Sequence, residues 1–231
     1  MKESAPDLVA KLRAIPLFRG FDEQRLQSLR TGLGFSRIDA GETLFRSGDN
    51  AELCFLLSYG AVKLQKQMPG GKEVVMCFCR TGGFIGAGIM LNPSPRYPLT
   101  AYAVEDSGLL VIPRKIYTEV WQAQPDVAKV INTSLMGRMM EFQEDKAMAV
   151  TAVPKRVAHF LLRTLDQQSI DMGNRLNLKL SRKDIADRIG TSVESVIRIL
   201  SQWTQNGWIL TEEQRITILQ RGSLENLLEA E

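Results

Sequence analysis

Apolar residues follow two different spacings along this chain, and each spacing predicts a different kind of structure. Near the start, and again beyond residue 117, they recur every three or four positions, as on one face of a helix. From Gly34 to about Pro113 they form short runs instead, separated by turn-forming segments such as Gly48-Asp49-Asn50. Turns repeated at this spacing predict an antiparallel β barrel or roll. One such turn is expected at Tyr59-Gly60, between two short strands.

Helices are predicted on both sides of the β region. Two short ones precede it, over Asp7–Ala14 and Asp22–Thr31, and a single long helix follows it from Tyr117 to about Val150. The long helix carries an apolar seam, which favours pairing with the same helix of a second copy. Packing of the seam on the chain's own β region is the alternative, and the two can hold along different parts of the helix. The seam consists of Val127, Ile131, Leu135, Met139 and Phe142.

A change of direction is expected at Thr151–Pro154, because proline blocks continuation of a helix. Beyond it the pattern predicts a compact run of short elements. These are a helix from Lys155 to about Gln168, a strand over Leu176–Leu180, a pair of helices, and a hairpin formed by Trp208–Thr211 and Ile216–Leu219.

The pair of helices between Leu180 and Trp208 is the most informative part of the sequence. Ser181 and Ser192 stand where each helix would begin, as good N-caps, and Gly190 permits the turn between the helices. Two helices joined in this way are typical of a helix-turn-helix. A surface pair of amphipathic helices without a nucleic-acid partner is the plainer alternative.

The second of these helices has two chemically different faces. Its apolar stripe, expected to be buried, consists of Val196, Ile199, Leu200 and Trp203. The residues left facing outward are Val193, Glu194, Ile197 and Arg198. Arginine can bind guanine, a carboxylate can accept from cytosine, and apolar groups can contact thymine methyls in the major groove. The sequence therefore predicts base reading by this face, with Arg215 of the following hairpin placed to meet a phosphate.

Composition and charge permit this interpretation without requiring it. The chain has 231 residues and a net charge of +3, and its basic residues include a cluster around the predicted helix pair. Neither a signal peptide nor an apolar run long enough to span a bilayer is recognised, so we expect a cytoplasmic protein without a membrane partner. The single histidine, His159, cannot build a catalytic or metal site alone. No hydrolase, Walker or zinc-protease motif is found, and no enzyme activity is predicted.

Three cysteines, Cys54, Cys77 and Cys79, do not match a disulfide framework or a zinc site in number or spacing. Cys77 and Cys79 lie two positions apart and would share one face of a strand. A buried structural role is favoured over a redox or metal-binding role.

The whole succession resembles the CRP/FNR family of bacterial transcription regulators. The resemblance rests on Gly41-Glu42, Gly48-Asp49, Gly60-Ala61-Val62, Phe84-Ile85-Gly86 and, most specifically, the segment Ser192–Leu200. It implies an α+β fold with a jelly-roll-like antiparallel β-roll sensor domain (1–116), a dimerisation helix (117–150) and a winged helix-turn-helix (151–231). It also implies a homodimer on a palindromic operator of the TTGA or GTGA kind, with RNA polymerase as a further partner through the loop Gln167–Asn174. Residues that the resemblance places at DNA phosphates are Ser181, Arg182, Lys183, Thr191 and Ser192.

Departures from the family pattern bear on the small-molecule effector. Family members that bind cyclic AMP have a glutamate directly after the Phe-Ile-Gly stretch and an Arg-Ser pair later, whereas this chain has Ala87 and then Arg96 followed by tyrosine. Members with an iron-sulfur cluster carry several cysteines near the N-terminus, and the first cysteine here is Cys54. The sequence therefore predicts an effector that is neither cyclic AMP nor an iron-sulfur cluster.

The effector pocket is expected to be mostly apolar, and the alternative is that its side chains simply form the core of the roll. An apolar wall with methionines is compatible with haem, so a haem-based sensor of nitric oxide or carbon monoxide is the alternative function, although His159 lies in the DNA-binding half. The predicted pocket residues are Met76, Phe78, Ile85, Gly86, Ala87, Met90, Arg96, Glu141 and Phe142.

Overall fold

In the computed structural model, which describes residues 7–168 and 173–229, the chain divides into two units. The first unit runs up to Met68 and also includes Met76–Met139. The second comprises Pro69–Val75 and the chain from Met140 onward. The boundary therefore falls inside the long helix rather than at its ends, where the sequence analysis divides the chain.

The first unit is built on a six-stranded sheet whose centre is a pair of long antiparallel strands. These are β3 (Leu53–Gln67) and β6 (Thr100–Pro113), and they pair along most of their length. The shorter strands are β1 (Gly34–Ile38), β2 (Thr43–Phe45), β4 (Glu73–Arg80) and β5 (Phe84–Ile85). The strand order is β1-β6-β3-β4, with β2 also paired to β6 and β5 also paired to β3. The predicted antiparallel roll is confirmed.

The turn predicted at Tyr59-Gly60 is wrong, because both residues lie within the single strand β3. The pairing of β3 with β6 shifts register on either side of Tyr59, so this is a bulge. Gly60 has a φ of 86°, a left-handed conformation that glycine adopts without strain. A glycine that permits a bulge and a glycine that permits a turn leave the same signal in a sequence.

Helices α1 (Leu8–Ala14) and α2 (Glu23–Leu29) begin at side-chain caps. Asp7 accepts backbone hydrogen bonds from Val9 and Ala10, and Asp22 accepts one from the Arg25 amide at 2.7 Å. Both helices bury leucines in the first unit.

The long helix begins later than the sequence analysis predicts. A short helix, α3 (Arg114–Ile116), and a π-helical turn (Tyr117–Trp121) come first, and the long helix α4 spans Pro125–Met148. Proline is well suited to a first helical turn but not to a helix interior, which explains why the long helix starts at Pro125. Trp121 of the π turn is fully buried, and its indole nitrogen lies 3.4 Å from the carbonyl oxygen of Leu29.

The apolar seam of α4 divides into two parts. Val127 and Ile131 are fully buried within the chain itself, so assigning them to a subunit interface is wrong. They pack in the first unit, as the alternative interpretation expects. Leu135 and Phe142 are half-buried, whereas Met136, Met139 and Met140 are exposed on the same helix.

The second unit is a small bundle with a β hairpin. Its helices are α5 (Val153–Asp166), α6 (Arg182–Ile189), α7 (Val193–Gln205) and α8 (Arg221–Glu229). Its strands are β7 (Ile209–Glu212) and β8 (Arg215–Ile218). Pro154 lies in the first turn of α5, in agreement with the predicted break in the helix.

The hairpin of the second unit is confirmed, and its turn has the required geometry. Glu213 and Gln214 both adopt positive φ, of 48° and 64°, as a two-residue hairpin turn demands. Helix α8 was not predicted. It buries Leu224, and an ion pair between Arg221 and Asp166 ties its first turn to α5.

The strand predicted over Leu176–Leu180 is not a regular strand. Leu176, Leu178 and Leu180 are buried in alternation, as predicted, but the segment makes only spaced hydrogen bonds to β8 and its turn. The Leu176 amide donates to the Ile216 carbonyl and the Leu180 amide to the Gln214 carbonyl, both at 2.8 Å. In an extended segment, alternate side chains can be buried whether or not the backbone forms a β ladder with a neighbouring strand.

Gly60→Ala should destabilise the protein much more than Gly41→Ala. Both glycines have positive φ, so each alanine pays a conformational penalty of about 1–2 kcal/mol. A β-carbon at Gly60 would also collide with Ser107 and the Asp106 carbonyl, whereas nothing lies within 4 Å at Gly41. Overpacking should add about 1–3 kcal/mol at Gly60. Urea unfolding of both variants measures the difference, and equal losses would contradict the bulge geometry.

Candidate nucleic-acid interface

Both helices of the pair predicted from sequence begin at serine caps. Ser181 accepts a hydrogen bond from the Asp184 amide at 3.0 Å, and the Asp184 carboxylate accepts from the Ser181 amide at 3.3 Å, forming a capping box. Ser192 accepts from the Ser195 amide at 3.2 Å. Each cap fixes the residue at which its helix starts.

The turn between α6 and α7 is closed by backbone hydrogen bonds onto Ala186. The amides of Gly190 and Thr191 donate to the Ala186 carbonyl at 2.9 and 3.0 Å. Gly190 has a φ of 71°, as expected for a glycine that ends a helix. Ala186 is buried, and its small side chain suits the close approach of α6 to α7.

Helix α7 divides into an inward and an outward face, as predicted. Its inward stripe is buried and consists of Val196, Ile199, Leu200 and Trp203. On the other face, Glu194 and Arg198 are exposed and Val193 is half-buried. Ile197 is 47% exposed on this face. This face combines a cation, an anion and an apolar group within two helical turns.

The outward face continues beyond the four residues predicted from sequence. Ser201, Gln202 and Gln205 are also exposed on α7. Ser201 follows Ile197 by four positions and Arg198 by three, so it lies on the same surface one turn further along. The helical spacing already contained this signal, because Ser201 falls outside the buried stripe. Amide and hydroxyl side chains of this kind can bind bases or phosphates.

The predicted phosphate-binding residues lie around the start of α6 and the α6–α7 turn, and they differ in how exposed they are. Thr191, Ser181 and Arg182 are half-buried, and Ser192 is exposed. Burial lowers the pKa of Arg182 below its usual range, which leaves an arginine charged at neutral pH. The backbone amides at these helix starts add a favourable environment for an anion.

Lys183 is already paired with two carboxylates. Its ammonium nitrogen lies 2.6 Å from Asp187 and 2.8 Å from Glu73, both in the second unit. The hydrogen bond to Asp187, and then that to Glu73, raises the pKa of Lys183 above its usual range. The lysine is more than half exposed, so a phosphate can reach it only in competition with these carboxylates.

Two other basic residues make contacts within the second unit. Arg215 donates to the carbonyl oxygen of Asn177, so one edge of its guanidinium supports the segment before α6. The Arg188 side chain pairs with Asp145 and is only 8% exposed, so little of it is available at the surface. Arg198 is exposed and Arg215 half-buried.

The residues predicted to line an effector pocket in the first unit differ in burial. Ile85, Ala87 and Met90 are buried, and Met76 and Phe78 are half-buried on the face of β4 opposite Cys77 and Cys79. The three cysteines are buried and are not joined by disulfides among the described residues, and burial raises the pKa of Cys54 above its usual range.

The segment from Gly86 to Tyr97 is tied down by its own contacts. Gly86 has a φ of 79°, and a β-carbon there would lie 3.1 Å from the Tyr97 ring. Arg96 donates to the Gly48 carbonyl at 2.9 Å, and the Tyr97 hydroxyl donates to Leu53 at 2.6 Å. Burial raises the pKa of Tyr97 to about 12.

Glu141 and Phe142, predicted in the same pocket, belong to the second unit. The Glu141 carboxylate accepts from Gln167 at 2.6 Å and lies 3.9 Å from Arg163, so it ties α4 to α5. His159 also lies in the second unit, on α5. Of the loop Gln167–Asn174, residues 169–172 lie outside the described residues.

Neither a metal site nor a membrane-spanning helix occurs among the described residues. No group of three or more His, Cys, Asp or Glu side chains there could hold a metal ion. Within the same residues, no helix has the length and apolar character needed to cross a membrane.

A sensor-type β roll followed by a winged helix-turn-helix defines the class of protein. The chain matches the Crp-like helix-turn-helix domain over residues 155–227 and the cyclic nucleotide-binding domain over residues 35–124. It belongs to the CRP/FNR family of bacterial transcription regulators, as the sequence resemblance predicts.

Individual relatives agree with this assignment. The chain is 29% identical to the transcriptional activator protein FnrA of Stutzerimonas stutzeri, covering 79% of this chain and 75% of that protein. It is 28% identical to the global nitrogen regulator of Synechococcus elongatus, covering 84% and 90%. Its fold is similar to that of FixK2 from Bradyrhizobium japonicum, with a TM-score of 0.75 at 23% identity over 86% of this chain and 98% of that one.

The ion pairs of Lys183 predict how its titration responds to substitution. Asp187→Asn and Glu73→Gln should each lower the pKa of Lys183 toward the ordinary lysine value of about 10.4, since each removes a carboxylate that favours the charged form. Asp187→Asn should have the larger effect. NMR titration of the side-chain nitrogen measures both, with Glu42→Gln in the first unit as a control. An unchanged titration in both variants would contradict the ion pairs.

Proposed function

We propose that this protein is a homodimeric, sequence-specific DNA-binding regulator of transcription. The observation that carries the proposal is the outward face of α7, where Glu194, Ile197 and Arg198 are exposed above a fully apolar buried stripe. These three side chains are an acid, an apolar group and an arginine within five consecutive residues. A major groove has complementary groups for all three.

Base reading by this face assigns each side chain a role. Arg198 donates to guanine, Glu194 accepts from the cytosine amino group, and Val193 and Ile197 contact thymine methyls. These roles suit half-sites of the TTGA or GTGA kind. The serine caps and the α6–α7 turn support the proposal because they hold α7 in one orientation relative to α6.

Phosphate contacts supply the part of affinity that does not depend on sequence. Residues around the helix starts would make these phosphate contacts, together with Arg215 of the β7–β8 hairpin, which forms the wing. The residues at the helix starts are Ser181, Arg182, Thr191 and Ser192. Lys183 contributes if a phosphate displaces Glu73 from its ammonium group. Electrostatic contacts of this kind weaken as salt rises.

The dimer is supported by three exposed methionines of α4, of which one, Met139, belongs to the predicted seam. Met136, Met139 and Met140 are each about half exposed, at 52%, 47% and 58%, and the last two follow Met136 by three and four positions on one helix. Methionine packs adaptably against other apolar side chains, so a second α4 is a suitable partner. Two α7 helices related by two-fold symmetry would then meet half-sites about 34 Å apart.

The regulatory ligand of the β roll is proposed to be a small effector other than cyclic AMP. The residues present do not suit that nucleotide, because Ala87 offers a buried methyl group where a ribose hydroxyl needs a carboxylate. Arg96 already donates to the Gly48 carbonyl, and Pro95 and Pro98 beside it have no amide hydrogen to offer a phosphate. An effector that binds two arrangements of the DNA-binding unit with different affinity would regulate it.

Arg198→Ala and Lys183→Ala should weaken DNA binding in different ways. Loss of the guanine contact should reduce discrimination at one base pair by about 1–3 kcal/mol, whereas loss of the lysine should lower affinity for all duplexes alike and reduce the salt dependence. Fluorescence anisotropy on a TTGA-type palindrome and on singly substituted duplexes separates the two patterns. Equal losses on every duplex for both variants would exclude base reading by Arg198.

Replacing exposed methionines of α4 should break the dimer. The double variant Met136→Glu and Met140→Glu places two buried charges in the proposed interface, which costs several kcal/mol unless the subunits separate. Sedimentation equilibrium should show a monomer. Met68→Glu, an exposed methionine at the end of β3, is the matched control and should stay dimeric. A double variant that stays dimeric would place the interface elsewhere.

A further inference from the structure

The connection between β3 and β4 carries a carboxylate to the start of α6. It spans residues 68–72 and leads into Glu73, the first residue of β4. The segment Pro69–Val75 belongs to the second unit, and β4 continues from Met76 into the first unit. The Glu73 carboxylate accepts a hydrogen bond from the Lys183 ammonium group at 2.8 Å. One end of a β-roll strand therefore pairs with a side chain of the helix pair.

Glu73 gives the cluster around Lys183 a net negative charge. Lys183 and Asp187 lie four residues apart on α6 and form a neutral pair, with 2.6 Å between the ammonium nitrogen and a carboxylate oxygen. Glu73 adds a second carboxylate to the same ammonium group. A DNA phosphate within hydrogen-bonding distance of that group would lie close to both carboxylates, and like charges at such a separation repel each other. Without Glu73 the remaining pair would be neutral and more open to a phosphate.

Of these two carboxylates, only Glu73 can leave without a change in α6. Asp187 belongs to the same helix as Lys183, whereas Glu73 lies 110 residues earlier in the chain. Gly70 and Gly71, just before it, have positive φ, and no other described group lies within 4 Å of where their β-carbons would be. The Glu73–Lys183 pair is also partly exposed. Exposed ion pairs are weak enough to exchange partners.

We propose that Glu73 is an autoinhibitory carboxylate, which competes with a DNA phosphate for the ammonium group of Lys183. This inference rests on the proposed function, because it needs Lys183 to contact DNA. Its regulatory consequence follows from β4. Met76 and Phe78, which the sequence analysis places in the effector pocket, lie three and five residues beyond Glu73 on the same strand. A small effector that displaces this strand would release Lys183 and raise the affinity for DNA.

Fluorescence anisotropy of the full chain on random-sequence duplexes, at one salt concentration, tests the competition. Glu73→Gln should bind about two- to fivefold more tightly for each subunit on the duplex, which is the range that an exposed ion pair contributes. The gain should be the same on a TTGA-type palindrome, because a phosphate contact carries no sequence information.

A double-mutant cycle shows whether the gain passes through Lys183. In a Lys183→Gln background, Glu73→Gln should leave the affinity unchanged, since the ammonium group for which the carboxylate competes is absent. A gain of the same size in both backgrounds would come from net charge alone and would overturn the proposal. Glu119→Gln is the matched control and should bind like the unchanged protein. It removes an exposed carboxylate of the first unit that lies 4.0 Å from the ammonium nitrogen of Lys115.

The outcomes distinguish a failure of this inference from a failure of the proposed function. Equal affinity of Glu73→Gln and the unchanged protein would exclude the autoinhibitory role and leave DNA binding intact. Absence of binding by both proteins on every duplex would overturn the autoinhibitory role and the proposed function together. Binding by Glu73→Gln alone would support the competition in its strongest form.

Discussion

Burial of one side of α7 is the constraint on which the proposed DNA interface depends. Val196, Ile199, Leu200 and Trp203 fill the interior of the second unit, and their removal from water fixes the rotation of the helix about its axis. Once that rotation is fixed, the opposite side must face outward. The exposure of Ile197 and Arg198 is therefore a consequence of core packing, and base reading uses the surface that packing leaves over.

The helix caps and the α6–α7 turn add to this constraint, because they hold the two helices in one orientation. The capping box at Ser181, the cap at Ser192 and the closure of Gly190 and Thr191 onto Ala186 each satisfy backbone groups at helix ends. They also bring polar side chains and backbone amides together at the helix starts. The same local interactions thus stabilise the fold and prepare a surface for phosphates.

The ion pairs of the second unit differ in how deeply they are buried. Asp145 holds Arg163 and Arg188 between the end of α4 and the helices that follow it, and Glu141 joins Arg163 and Gln167. These are half-buried pairs, so losing one partner would strand a charge. Lys183 and its two carboxylates are more exposed and can exchange partners with little cost. Burial thus separates the half-buried ion pairs, which hold helices together, from the exposed pairs of Lys183, for which a phosphate can compete.

The sequence by itself determined the elements whose signals are local. Helical spacing identified both faces of α7, serine and glycine positions identified its caps and turn, and the hairpin signal identified the wing, because each depends on residues within a few positions. Only the tertiary structure decided that Gly60 forms a bulge, that Val127 and Ile131 pack inside their own chain and that the Arg188 side chain pairs with Asp145. In each case the deciding partner lies far away in sequence, so no spacing of neighbouring residues could reveal it.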